Sequence, residues 1–170
     1  LSGRYRQRGG AETHVTSSPS MDISKASNFE RFIHDIAGGD TARVRALWAD
    51  VASGKGFDLA GTPLWDAVQQ AGFVSGRSTH ADRIATIRDI HARYGVIVDP
   101  HTADGLKVAM EQRTAGVPLV AIETALPAKF AATIEEALGT VPPRPSHLAG
   151  IESLPQHCTV LPADAAGVKA

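Results

Sequence analysis

The sequence predicts an α/β protein in which a helical segment is followed by a partial parallel sheet with flanking helices. Three observations point there. Apolar residues recur at helical spacing between about residues 24 and 94. Beyond that, a short β-branched run, a loop and a helical stretch occur in that order twice, the pattern of parallel strands joined by crossover helices. Hydrophobic residues make up 43% of the 170 residues, enough for one domain with a core or for one domain plus an appendage. The expected divisions are 1–23, a loop; 24–94, helical; and 95–170, α/β.

Residues 1–23 carry Gly9-Gly10 and the stretch Thr16-Ser17-Ser18-Pro19-Ser20, in which hydroxyls beside a proline favour turns. Ser27 and Glu30 have the spacing of a capping box, and Phe29, Phe32, Ile33 and Ile36 follow on one helical face. Gly38-Gly39 ends that helix. Asp40 can cap a second one, with Val44, Leu47, Trp48 and Val51 on one side. The pattern over 57–73 is weaker, although Pro63 can open a short helix. Thr79 can cap a third strong helix running to Tyr94, with Ile84, Ile87, His91 and Tyr94 sharing a face.

The period then changes. Val96-Ile97-Val98 reads as a strand ending at Asp99-Pro100-His101-Thr102, and 103–113 reads as helix. Residues 117–122 read as a second strand, and Phe130, Ile134, Ala137 and Leu138 mark the helix after it. Pro142, Pro143 and Pro145 break the chain before an expected short helix and a last strand at 157–161, which would make Cys158 a small core residue. A parallel sheet is covered on both faces and needs several strands. Two or three are found, so the chain is expected to begin partway through a larger protein, a start that processing would equally produce.

The balance of 17 basic and 18 acidic residues, a net charge of −1, gives no electrostatic case for nucleic acid or an anionic membrane as partner. Arg4, Arg6 and Arg8 read as a solvated arm. No apolar run approaches the roughly 20 residues of a membrane span. The single cysteine rules out an intrachain disulfide, which makes a cytoplasmic location the expectation. The seven histidines include no HxxxH pair, and there is no GxSxG, Walker or GxGxxG motif. Metal centres and Ser or Cys triads therefore have no support.

Ligands of open α/β sheets bind beyond the C-terminal strand ends, where helix N-termini present free N–H groups. Two loops hold that position, 99–104 and 123–129. Asp99, Thr102 and Thr124 fit two readings there, as helix caps or as ligand contacts.

Three motifs resemble the bacterial and fungal branch of threonine synthase. They are Ser18-Pro-Ser-Met-Asp-Ile23 with Ser27-Asn-Phe-Glu-Arg31, Val98-Asp-Pro-His-Thr-Ala103, and Thr124-Ala-Leu-Pro-Ala-Lys-Phe130. The resemblance covers residues 18–130 in the family's order, and the tail also fits. It implies the C-terminal portion of a two-domain, fold type II enzyme dependent on pyridoxal 5'-phosphate (PLP). Such an enzyme converts O-phospho-L-homoserine and water to L-threonine and phosphate.

The resemblance further implies that the 1–23 loop lines the site and that Thr124 faces the cofactor's pyridine nitrogen as a neutral hydroxyl. Ser18, Ser20, His101 and Lys129 become candidates for binding the substrate's phosphate or carboxylate; Asp99 and His101 either line the site or fix the loop. None of Lys25, Lys55, Lys107, Lys129 and Lys169 matches the family's Schiff-base lysine, and no Gly-rich phosphate loop is present, so both are expected in the remainder of the protein. Leu126 stands where the family usually has His, so no proton-handling role carries over to that position. A threonine-synthase-like phospholyase and a noncatalytic helical interaction module are the competing readings.

Overall fold

A computed structural model of the chain describes residues 2–9, 14–161 and 164–169. Helices dominate it. Three of them, α1 (Phe29–Ile36), α2 (Thr41–Ala52) and α3 (Pro63–Gln70), pack around Ile33, Val44, Trp48, Leu59, Leu64 and Val68. The expected apolar faces are the buried ones: Ile33 is fully buried, Trp48 is buried, and Phe29, Phe32 and Leu47 pack half-buried against them. Asp40 accepts a hydrogen bond from the Arg43 amide at 2.9 Å and starts α2; Thr62 caps α3, with Pro63 at its first position. The expected Ser27 box does not form. Asn28 is the residue before α1 and makes no side-chain cap bond.

The only strands among the described residues are β1 (Arg4–Tyr5) and β2 (Phe57–Asp58), which pair antiparallel. Their pairing is what brings Tyr5 into an aromatic cluster with Phe29, Trp48 and Phe57, ring centroids 4.9–5.9 Å apart. Arg4 is accordingly not a free arm residue, because its Nε meets Asp58 at 2.9 Å.

A second core lies between α4 (His80–Tyr94), α5 (Pro100–Glu111) and α6 (Ala131–Leu138), built on Ile84, Ile87, Val98, Ala103, Ile134 and Ala137. Thr79 opens α4 with a reciprocal capping box to Asp82, and Gly95 closes it at φ +68°, a conformation only glycine adopts cheaply. Arg88 reaches from α4 to the last carbonyls of α6, donating to Ala137 at 2.7 Å and Glu136 at 3.2 Å. That contact satisfies acceptors the helix end leaves open.

The expected parallel sheet is not formed among the described residues. Residues 96–98 and 117–122 run without strand pairing, and 157–161 follow the same course. The physical reason is lateral. A strand is defined by its neighbour's N–H and C=O groups, and none of these segments is paired with another strand among the described residues. Cys158 is exposed rather than a core residue. His91 and Tyr94 are exposed too, because the last turn of α4 lies outside the α4–α5–α6 core. A short helix, α7 (Ala165–Lys169), ends the described chain.

Candidate functional site

The N-terminus of α5 organises the site. Asp99 is its cap, fully buried, and its carboxylate has three donors. The His101 amide and His101 Nδ1 each lie 2.9 Å from Oδ1, and the Thr102 hydroxyl bonds to Oδ2. Pro100 at the first helical position needs no N–H partner there. Asp99 and Thr102 therefore act as cap and loop brace.

His101 reaches outward from this cap. Its Nε2 accepts a hydrogen bond from the Ser20 amide at 3.0 Å, and its ring stands edge-on to Phe130 at 4.7 Å. One ring thus joins the three segments that carry the family resemblance: the serine-rich loop, the start of α5, and the 127–130 turn.

The serine-rich loop is braced from within. Asp22 accepts from the Thr16 amide and the Thr16 hydroxyl, both at 2.7 Å, and these two bonds hold its carboxyl below the ordinary carboxylate range. Residues 19–21 form a 3-10 turn that begins at Pro19. Ser18 is fully buried and its hydroxyl has no partner, so it faces the interior of the loop. Ser20 is exposed.

A second network, not foreseen from the sequence, runs beneath the loop. Arg83 on α4 is buried and forks onto Asp104 of α5, with N–O distances of 3.0–3.2 Å. Its remaining nitrogen donates to the Ser17 hydroxyl at 2.5 Å; Ser17 also meets His80 Nδ1 at 2.7 Å, and His80 Nε2 meets Glu136 at 2.8 Å. The available clue was position. Arg83 interrupts the apolar face of Ile84 and Ile87, and a buried cation there requires an anion opposite. Between loop and helices lies a cleft of about 860 Å³, bordered by Asp22, Arg77, Arg83, His101, Asp104 and Val108.

Thr124 lies after the 117–122 run, exposed. It caps nothing: Leu126 precedes the 127–130 turn without a side-chain cap bond, and Phe130 precedes α6 likewise. Lys129 is exposed and has no ion pair among the described residues, and Leu126 is 47% exposed. Thr124 and Lys129 do not border the 860 Å³ cleft; Lys129 directly precedes Phe130, whose ring meets His101. No cluster of metal-binding side chains occurs among the described residues, and no helix is long and apolar enough to cross a membrane.

The family profile described as "Threonine synthase, C-terminal" matches residues 102–170. The chain is 59% identical over 167 residues to the threonine synthase of Methylobacillus glycogenes and 52% identical over 169 residues to that of Corynebacterium glutamicum. Each match covers 98% of this chain and 35% of the relative. A solved structure of PLP-bound threonine synthase from Brucella melitensis superposes with a TM-score of 0.78 at 38% identity, covering 94% of this chain and 33% of that one. The chain thus spans about a third of the length of the proteins it matches. With more than half its residues identical over nearly its whole length, the chain belongs to the threonine synthase family and corresponds to the C-terminal portion of its members.

Proposed function

We propose that this chain is the part of a threonine synthase that closes the active site, in a protein converting O-phospho-L-homoserine and water to L-threonine and phosphate with PLP. The observation that carries the reading is the meeting of the three resembling segments at His101, with an exposed, uncapping hydroxyl at Thr124, the first residue of the third. Segment 95–170 completes the PLP domain, and 96–98 and 117–122 become strands when the remainder of the protein supplies their neighbours. Val120 and Ile122, apolar and 82% and 79% exposed, fit that role. Segment 24–94 forms the helical part, and 1–23 lines the site. The cytoplasm is the compartment this activity and the single cysteine favour.

The residues present fit the cofactor. PLP supplies an electron sink when bound. Thr124 offers a hydroxyl with no other partner to its ring nitrogen, and a neutral hydroxyl does not hold a proton there as a carboxylate would. The Schiff-base lysine and the loop for the cofactor's phosphate come from the remainder of the protein. Among the substrate candidates Ser18, Ser20, His101 and Lys129, the exposed Ser20 hydroxyl and the unpaired Lys129 ammonium suit an anion: one donates a hydrogen bond, the other a point charge.

Product analysis on the longer protein with PLP and O-phosphohomoserine tests the reading. Threonine and phosphate in equal amounts are expected. Phosphate with a 2-oxo acid would mean a phospholyase, and no turnover would favour a noncatalytic module. Thr124→Ser should keep most of the activity and Thr124→Ala should lower turnover, while Thr124→Asp should shift the cofactor's absorption. Asp and Ala variants that match the parent in both would remove Thr124 from the cofactor site.

A further inference from the structure

We infer that His101 is a positioning residue and not a substrate ligand: locked by Asp99 in one tautomer, it hooks the Ser20 amide and sets the serine-rich loop against α5. The assignment rests on the reading of that loop as part of the substrate site, and on hydrogen-bond accounting. A backbone amide can only donate. Ser20 N lies 3.0 Å from His101 Nε2, so that nitrogen must be the bare, accepting one. The proton of the neutral ring is then on Nδ1, which lies 2.9 Å from the Asp99 carboxylate, a group that can only accept.

Both nitrogens are therefore in use, and none is left for a phosphate or carboxylate. An anion would require a proton on Nε2, and that proton would face the Ser20 N–H. The surroundings fix the ring as well. Its side chain is 8% exposed, Asp99 is fully buried beneath it, and Phe130 closes one flank. Asp99 is in turn held by the His101 amide and Thr102, so the carboxylate cannot rotate away without vacating the cap of α5.

The consequence is a register. Ser20 carries an exposed hydroxyl of the loop, and the hook on its own amide fixes the backbone from which that hydroxyl projects. The same ring packs on Phe130, the residue after Lys129. The two groups best suited to meet an anion, Ser20 and Lys129, are thereby held relative to each other through a side chain that need not touch the ligand.

The experiment uses the longer protein, with histidine selectively labelled with ¹⁵N. His101 is identified by the signal lost in His101→Gln. The expected spectrum has a protonated Nδ1 and a bare Nε2, and hydrogen exchange at the Ser20 amide is slow. Kinetics then separate the roles. Glutamine places an acceptor oxygen near the position of Nε2, so His101→Gln should retain most of kcat/KM and slow Ser20 exchange. His101→Ala should lose both, with kcat/KM falling on the order of 100-fold, the scale of a misplaced contact.

A proton on Nε2, or a fast-exchanging Ser20 amide in the parent protein, overturns the assignment. So does equal loss of activity in the Gln and Ala variants while Ser20 stays protected, since the ring itself would then act on substrate. If the parent makes no threonine, the function proposed above fails, yet the tautomer and the exchange rate still decide whether the hook exists.

Discussion

Single residues carry two of the site's supports, and each has a measurable consequence. Arg83 is 4% exposed and its guanidinium is shared between Asp104 and Ser17. Removing one member of a buried pair strands the other charge, which typically costs about 3–5 kcal/mol, whereas an apolar replacement of both is often nearly neutral. Arg83→Met should therefore lower the denaturation midpoint sharply. Adding Asp104→Leu should recover most of the loss, and a double variant less stable than Arg83→Met would show that the pair is not the source. Asp22 gives a pH prediction. The Thr16 amide and then its hydroxyl hold the Asp22 carboxyl below its ordinary 3.8. A carboxylate lowered on folding adds stability that is complete above its unfolded value and is lost as pH falls through its folded one. The loop at 14–22 should thus stay closed at neutral pH and loosen only in acid below about 3.8. Thr16→Val removes the hydroxyl donor and should move that loosening to higher pH, as read by amide exchange across the loop.

Elements were legible from the sequence where their cause is local. The period of Ile33, Val44, Trp48, Ile84 and Ile87 and the caps at Asp40 and Thr79 are properties of adjacent residues, and the helices form where these place them. Strands depend on a neighbour far along the chain. The pairing of Arg4–Tyr5 with Phe57–Asp58 had no local sign, and 96–98 carry β-branched residues without a partner. In the candidate site, the segments were legible as motifs, but the ring that joins them and the Arg83 network beneath were not. Both depend on contacts across 21 to 81 residues, whereas the caps at Asp40 and Thr79 span three. Segment 73–79, which leads into α4, shows the same dependence. A Cβ at Gly76 would lie 2.6 Å from Val108 Cγ1, and Lys107 donates to the Arg77 carbonyl at 2.5 Å, so this stretch is pressed onto α5. Gly76→Ala should destabilise the protein by about 1–3 kcal/mol, the usual cost of overpacking. Val108→Ala in the same protein should return part of that, a coupling that a double-mutant cycle reads directly. Purely additive losses would place the effect in the backbone of residue 76 instead.

The described residues of the molecule form two apolar cores and leave an apolar remainder facing outward. Val117, Leu119, Val120 and Ile122 belong to one extended segment and are 43–82% exposed, and Val96, Val160 and Leu161 are at least half exposed. Patches of that kind mark surfaces that something else covers. Their backbone groups are also unpaired by any sheet. A segment with unpaired amides and apolar side chains gains twice from docking on a strand edge: its N–H and C=O groups find partners and its side chains leave water. In the longer protein, amide exchange across 117–122 should therefore be as slow as in α5, while in the 170-residue chain alone it should be fast. Val120→Lys then separates the two gains, because it keeps the backbone and places a charge on the docking face. It should leave the isolated chain's helical content unchanged, since nothing there buries residue 120. In the longer protein it should cost several kcal/mol if that side chain is fully enclosed, because an unpaired buried charge is expensive. On the proposed placement of Thr124 at the cofactor, PLP should then be lost more readily, since the same segment leads to that residue. Equal melting of the Val120→Lys and parent forms of the longer protein would mean that this face stays in water, and that 117–122 is a surface connection and not a strand.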